Sequence, residues 1–284
     1  MFVKSISYWS FPGGLEGTRP VSEVFSLARK AGFEAVEVAL SGVGDLSLAT
    51  TEKEAQAVVR AAREAGVKIA SLATGLFWGK SLTSDDPGVR AQALGIGEKL
   101  IEVAAWLEAG AVLLIPGAVD VFFDPAAGVV DYEAAHRRAS DAVAALLPRA
   151  AASRIAIGLE NVWNKFLVDP FAMRAFIDQF GSEWVGAYFD VGNSMLVGYP
   201  EQWIRILGRR IKRVHFKDFR RAVGTADGFV DLLAGDVNWP AVMAALREAG
   251  YSGPLTAEMI PAYRHCPEVI VENTSRAMDA ILKL

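Results

Sequence analysis

Cysteine is almost absent: Cys266 is the only one in 284 residues. That excludes an intrachain disulfide framework and any multi-cysteine zinc site. Cys266 itself is expected to be a buried or otherwise neutral thiol. There is no surplus of positive charge either. The formal net charge is -4, which provides no electrostatic footprint for nucleic acid. The one basic cluster, Arg209, Arg210, Lys212 and Arg213, straddles a predicted helix end and strand start, where surface cations are routine. No apolar run is long enough to cross a bilayer, so no membrane partner is expected. The start, Met1-Phe2-Val3-Lys4, lacks a charged region followed by an apolar stretch, and a cytoplasmic location is the expectation. No Pro/Gly/Ser-rich linker or low-complexity segment interrupts the chain, so residues 1–284 are expected to form a single domain.

What is present is a repeating alternation. Hydrophobic residues make up 52% and charged residues 22%, the composition of an ordinary globular protein. Short β-branched runs alternate with longer Ala/Glu/Arg-rich stretches. Strands are predicted at Val3–Tyr8, Ala35–Ala39, Val67–Leu72, Ala111–Ile115, Arg154–Leu159, Val185–Phe189, Ile211–Val214 and Leu255–Ala257. Helices are predicted after each, at Val21–Ala31, Glu52–Ala65, Val89–Ala109, Tyr132–Ala151, Pro170–Phe180, Pro200–Leu207, Trp239–Ala249 and Pro267–Leu282. Gly32, Gly66, Gly110 and Gly250 each fall between a helix and the next strand, as helix-stopping glycines do. Pro170, Pro200, Pro240 and Pro267 fall at or near helix starts, where a missing N–H does no harm. Eight such units predict an α/β fold, a closed (β/α)8 TIM barrel. An open dinucleotide-binding sheet is disfavoured, because Trp9-Ser10-Phe11-Pro12-Gly13-Gly14 after the first strand is not a GxGxxG turn. Long excursions follow strands three, four and seven, on the face where barrels build active sites.

The last four strands end alike. Glu160 follows the fifth, Asp190 the sixth, His215 the seventh and Glu258 the eighth, each after an apolar run. A lone Glu after a strand is ordinarily the first solvated loop residue. Four such residues on consecutive strands of one rim form a candidate site. The expectation is that the apolar runs keep charge out of the barrel interior and deliver it to the mouth. Three carboxylates and one imidazole suit one divalent ion, Mn²⁺ or Mg²⁺, with Co²⁺ or Zn²⁺ also possible. Two of the carboxylates also supply a pair for proton transfer on both sides of a substrate carbon.

Glu160-Asn161, Phe189-Asp190-Val191-Gly192-Asn193, Val214-His215-Phe216-Lys217-Asp218 and Ala257-Glu258-Met259 resemble the xylose-isomerase-like TIM-barrel sugar-phosphate isomerase/epimerase superfamily. Within it they are most similar to the ketose 3-epimerase branch, and the resemblance covers nearly the whole chain. It implies that Glu160, Asp190, His215 and Glu258 hold the metal, and that Glu160 and Glu258 exchange the C3 proton through a cis-enediolate. It implies substrate contacts from Arg221 and from Asn193, which stands where relatives often have histidine. Phe166 stands where they often have Glu, a departure from the free-hexulose pattern. Lys165 and Lys217 are candidate contacts for an anionic group. Trp9, Phe11, Phe77, Trp78 and Trp163 are candidates to shield the mouth. His136 reads as structural, and His265 could reach the mouth or lie in solvent. The expected partner is a small sugar or sugar phosphate, with a homodimer or homotetramer also open. The same barrel admits three other readings: an aldose–ketose isomerase, a 3-keto-sugar lyase and a non-catalytic sugar-binding barrel. An endonuclease with a trinuclear zinc cluster would need more than the three histidines present.

Overall fold

The computed structural model describes residues 1–284, the side chain of Pro125 excepted. Eight parallel strands close into a barrel. They are β1 (Phe2–Ser7), β2 (Ala35–Ala39), β3 (Lys68–Ala73), β4 (Ala111–Leu114), β5 (Ala156–Glu160), β6 (Val185–Asp190), β7 (Ile211–Phe216) and β10 (Gly253–Ala257). Neighbours around the ring follow chain order, and β10 closes on β1. A small antiparallel hairpin, β8 (Asp218–Phe219) with β9 (Phe229–Val230), stands above the barrel in the excursion after β7.

The outer helices are α1 (Val21–Lys30), α2 (Glu52–Ala65), α4 (Pro87–Trp106), α5 (Tyr132–Ser153), α6 (Pro170–Asp178), α8 (Pro200–Leu207), α9 (Trp239–Glu248) and α10 (Val269–Ile281). Two short ones, α3 (Leu76–Gly79) and α7 (Val191–Ser194), lie in loops at the C-terminal rim. Helix α2 illustrates how local sequence sets an element. Thr51 and Glu54 form a reciprocal capping box, and Gly66 ends the helix at φ 72°. Ala55, Val58, Val59 and Ala62 form its buried stripe. Burying each valine side chain contributes about 1.5–3 kcal/mol. No helix among the described residues is long and apolar enough to cross a membrane.

Four local expectations fail. Helix α4 starts at Pro87 under an Asp86 cap, two residues before Val89, and ends at Trp106. Glu108, not Gly110, takes the left-handed conformation, at φ 56°. Gly110 is small for another reason: a Cβ there would lie 2.8 Å from Nη2 of Arg213. Arg213 thus leaves the expected surface cluster. It is half-buried, and its Nε donates to the carbonyl of Ala70 at 3.0 Å. Cys266 is exposed, not buried, in a turn at φ 51°.

The register of the ring carries two irregularities that matter for the site. Between β2 and β3 the pairing skips Ala70, so Glu37 lies level with Ser71. Between β6 and β7 it skips Lys212, so Asp190 lies level with His215. Each extra residue re-aims the side chains that follow it.

Candidate active site

The four rim residues converge. One donor atom from each of Glu160, Asp190, His215 and Glu258 lies within 4.8 Å of the others. All four are buried. Nδ1 of His215 is 3.3 Å from Glu160 Oε1, 3.6 Å from Glu258 Oε2 and 3.7 Å from Asp190 Oδ2. They are not level along the strands. Asp190 pairs with His215, but Glu160 pairs with Tyr188, and Glu258 lies one residue beyond the Ala257–Phe216 pair. The stagger is the shear that a closed barrel requires. In ring order Glu160 and Glu258 occupy the two ends of the arc, with Asp190 and His215 between them.

Backbone and side-chain amides hold the Asp190 end. Asn161 accepts from the Asp190 amide at 2.8 Å and donates to its carbonyl at 2.9 Å. Asp190 Oδ1 accepts from the Asn193 amide at 2.7 Å, capping α7. Asn193 reaches the cavity wall, but its side-chain N–H donates to the Asn161 carbonyl at 2.9 Å. Its Oδ1 and its second N–H are left to meet a substrate hydroxyl.

Lys217 is the fifth member of the cluster. Its ammonium lies 3.3 Å from Asp190 Oδ2 and also pairs with Glu258 Oε2. Neither oxygen receives a hydrogen bond of good angle. Burial works against the Lys217 charge, but Asp190 and Glu258 hold its pKa above the ordinary lysine range. Lys217 is therefore tied to the rim carboxylates.

The sequence reading missed Glu37. It is fully buried inside the barrel, and its Oε1 accepts from His215 Nε2 at 2.9 Å. Its Oε2 accepts from Ser71 at 3.0 Å and from the Tyr188 hydroxyl. Burial would raise the Glu37 pKa, but the His215 charge and the His215, Tyr188 and Ser71 hydrogen bonds hold it below the usual carboxylate value. This corrects the expectation that charge is kept out of the barrel interior. The available signal was a Glu within the otherwise apolar Ala35-Val36-Glu37-Val38-Ala39. A carboxylate on one imidazole nitrogen fixes the tautomer and turns the other nitrogen to the site, an arrangement typical of metal-ligating histidines.

Burial pushes the Glu160 carboxyl up to about 7, opposed by the His215 hydrogen bond and reinforced by the Glu258 charge. Burial likewise raises Asp190, opposed by Lys217. Burial lowers the tendency of His215 to hold a proton, but Glu37 and Glu258 overcome it and raise its pKa well above the ordinary value. The charge balance explains these shifts. Four carboxylates, Glu37, Glu160, Asp190 and Glu258, face one ammonium and at most one imidazolium. The remainder is at least two buried negative charges, and three when His215 is neutral as a ligand must be; a divalent cation offsets most of this charge. Asp190 Oδ2 and Glu258 Oε2, which have the Lys217 charge beside them but no hydrogen bond, point the same way, so the donor set fits an ion.

Above the cluster lies a cavity of about 660 Å³. Trp9, Trp78 and Trp163 line it as expected. Phe11 and Phe77, also expected there, are buried and do not line it. Phe166 is buried against His136 and Phe176. Two predicted substrate contacts do not reach the cavity. Lys165 is exposed and pairs with Asp120 at 2.6 Å. Arg221 lies over the Tyr199 ring and donates to the Gly198 carbonyl at 3.1 Å. In both cases the loop carries the cation outward to a local partner. His265 is exposed and does not line the cavity.

A closed parallel barrel with titratable side chains gathered at its C-terminal rim defines a TIM-barrel enzyme. The chain belongs to the xylose isomerase-like TIM barrel family, which it matches over residues 25–280. L-ribulose-5-phosphate 3-epimerase UlaE of Escherichia coli is 26% identical over 240 residues, covering 84% of this chain and 81% of that one. The solved D-psicose 3-epimerase from Clostridium cellulolyticum H10, bound to D-tagatose, superposes with a TM-score of 0.80 at 15% identity, covering 99% of this chain and 98% of that one. The 3-keto-D-glucoside 4-epimerase YcjR of E. coli superposes with a TM-score of 0.77 at 14% identity over 100% of both chains.

Proposed function

We propose that this isomerase-class enzyme is a sugar epimerase that inverts a carbon beside a ketone, C3 of a ketose or ketose phosphate, with Glu160 and Glu258 as the acid/base pair. The observation that carries this reading is the placement of those carboxylates at the two ends of one arc, converging below a single cavity. Glu160, Asp190, His215 and Glu258 would hold one divalent ion, Mn²⁺ first among the candidates. When bound, that ion supplies Lewis-acid polarisation of the ketone, which makes the neighbouring C–H acidic.

The protein's own residues do the rest. One Glu takes the C3 proton, and the electron pair of the broken C–H bond becomes the C2–C3 double bond of an enediolate. The other Glu delivers a proton to the opposite face. Which Glu acts first depends on the configuration of the substrate. A Glu160 pKa pushed up to about 7 suits a group that must both accept and release a proton near neutrality. Lys217, tied to Asp190 and Glu258, holds those carboxylates in place. Glu37 holds the His215 ring so that Nδ1 faces the cluster.

The names of the relatives support the class: UlaE is an L-ribulose-5-phosphate 3-epimerase and the Clostridium enzyme a D-psicose 3-epimerase. The test is a panel of free and phosphorylated ketoses in deuterated water, with Mn²⁺ or with chelator. Deuterium should enter at C3 alone, together with the C3 epimer, and only with the metal. An aldose product would replace the epimerase reading with an aldose–ketose isomerase, and metal-independent exchange would remove the ion from the reaction.

A further inference from the structure

The ammonium of Lys217 sits among the carboxylates of the rim. It pairs with Asp190 Oδ2 at 3.3 Å and with Glu258 Oε2. Those are the two oxygens that face His215 Nδ1, at 3.7 and 3.6 Å. An ion held by Asp190, His215 and Glu258 needs the same pair. Lys217 and the ion therefore compete for two oxygens, each bringing positive charge to buried carboxylates.

Three features make the lysine the partner that yields. Its hold is a contact of charges only, because neither oxygen receives a hydrogen bond of good angle. Asp190 keeps a second anchor, Oδ1 on the Asn193 amide at 2.7 Å, so it stays in place when Oδ2 changes partner. The ammonium also has a second station. It lies 5.3 Å from the centroid of the Phe229 ring, which lines the cavity, within the range of a cation–π contact. The backbone beneath it is fixed. Phe216 and Asp218 on either side are buried, and a Cβ on Gly192 would lie 2.5 Å from Lys217 Cβ, so α7 packs directly against the root of the side chain. Only the flexible stem beyond Cβ is free to swing.

The swing changes what the cavity offers. Among the described residues, Lys217 is the one Lys or Arg that lines it. The wall beyond is aromatic. Phe229 stacks on Trp163 at 5.0 Å, Trp163 meets Phe122 at 5.6 Å, Phe122 meets Phe123 at 5.0 Å, and Phe123 meets Trp78 at 5.0 Å. Rings can cover the carbon face of a sugar, but they bring no positive charge to an oxygen that becomes negative.

We propose that Lys217 is a displaceable counter-ion that becomes a substrate contact. In the metal-free protein it offsets part of the charge of Asp190 and Glu258. When an ion takes their oxygens, the ammonium turns toward Phe229 and the cavity, where it donates to a substrate oxygen beside the carbon that Glu258 serves. The proposal rests on the metal-binding reading of the rim.

Three measurements test it. In calorimetric Mn²⁺ titration of metal-stripped protein, Lys217→Met, which keeps the stem and removes the charge, should bind the ion at least about tenfold tighter than the native protein, the least expected when a like charge about 4 Å from the ion is removed. A lysine needed only to hold the carboxylates in place predicts the reverse. Acetohydroxamate, whose two adjacent oxygens copy those of an enediolate, should bind the Mn²⁺-loaded variant about tenfold more weakly than the Mn²⁺-loaded native protein, the loss of one charged hydrogen bond. The two changes run in opposite directions, which a general loosening of the site does not produce. The third measurement uses the native protein alone, so it decides the matter if the variant does not fold. Trace acetylation with acetic anhydride, read by mass spectrometry, should rise severalfold at Lys217 when Mn²⁺ is added and stay level at Lys165, which is tied to Asp120. Equal or weaker Mn²⁺ binding by a folded variant would overturn the proposal. So would unchanged hydroxamate binding, or Lys217 labelling that Mn²⁺ leaves level or lowers. A native protein that binds no divalent ion refutes the metal reading and this one with it. All three results as expected, without C3 exchange on any ketose, refute only the epimerase reading.

Discussion

Replacing Glu37 with Gln tests whether the site is organised from inside the barrel. The change keeps the shape of the side chain and removes one buried negative charge. Two effects on stability oppose each other. In the native protein Ser71 and Tyr188 both donate to Glu37 Oε2 while His215 donates to Oε1. A Gln amide turns one acceptor into a donor, which leaves at least one buried donor unpaired at a cost of about 1–3 kcal/mol. Against that, the cluster loses one of its uncompensated negative charges, which lowers the repulsion felt without an ion. The two are of similar size, so the melting temperature of the metal-free protein should change little. Metal affinity has no such offset. The ion loses one of the charges that attracts it, and the His215 tautomer is no longer fixed by a carboxylate. Loss of an outer carboxylate of this kind costs 10–100-fold in affinity, about 1.4–2.7 kcal/mol. Calorimetric Mn²⁺ titration of metal-stripped protein measures it. Because the chain has three histidines, ring ¹⁵N spectra can follow the His215 tautomer directly. Tyr188→Phe and Ser71→Ala serve as controls, since both leave the Glu37–His215 bond in place and should retain most of the affinity. A Glu37→Gln protein that folds normally and binds Mn²⁺ within about twofold of the native protein would refute the reasoning.

Glu160→Gln and Glu258→Gln should each lower C3 proton exchange by about 10²–10⁴-fold while leaving the circular dichroism spectrum unchanged; retention of exchange in either would remove that residue from the proton relay. Metal binding should weaken as pH falls. The Glu160 pKa is raised to about 7, so below that pH a proton competes with the ion at that ligand, and His215, raised well above its ordinary value, extends the competition to higher pH. Affinity that stays constant from pH 8 to pH 6, read by calorimetry, would contradict the shift. Asp218 is a third point of test. Its Oδ1 accepts from the amides of Phe219 and Val237, at 2.9 and 3.2 Å, and its Oδ2 from Leu233 and Trp239 Nε1, at 2.9 and 3.0 Å. It thereby pins the β8–β9 excursion that carries Phe229 to the cavity. Asp218→Ala should cost about 2–4 kcal/mol of stability, measured by denaturant unfolding, and should expose the excursion to protease before the barrel. Simultaneous cleavage throughout would mean the excursion is held by something else.

The sequence determined the barrel and most of the candidate site. Alternation of short β-branched runs with amphipathic stretches is a local property, and so are the helix-stopping Gly32, Gly66 and Gly250 and the Pro at the starts of α6 and α8. Local properties survive in a one-dimensional reading. A polar residue at the end of an apolar strand is equally local, which is why Glu160, Asp190, His215 and Glu258 were legible without coordinates. The remaining features depend on which side chains meet across the barrel. Glu37 and His215 are 178 residues apart, and they meet only across the closed barrel, whose register includes skipped residues at Ala70 on β3 and Lys212 on β7. No period in the sequence marks such a bulge. The direction of loop side chains is similarly non-local. Lys165, Arg221 and Lys217 read alike as loop cations. Only the fold ties Lys217 to the rim and sends the other two outward to Asp120 and Gly198. The run of rings from Phe229 to Trp78 is assembled from four separate loops. The strand pattern decides that a site exists at the rim. Strand register and loop packing, which are properties of the closed barrel, decide what that site can hold.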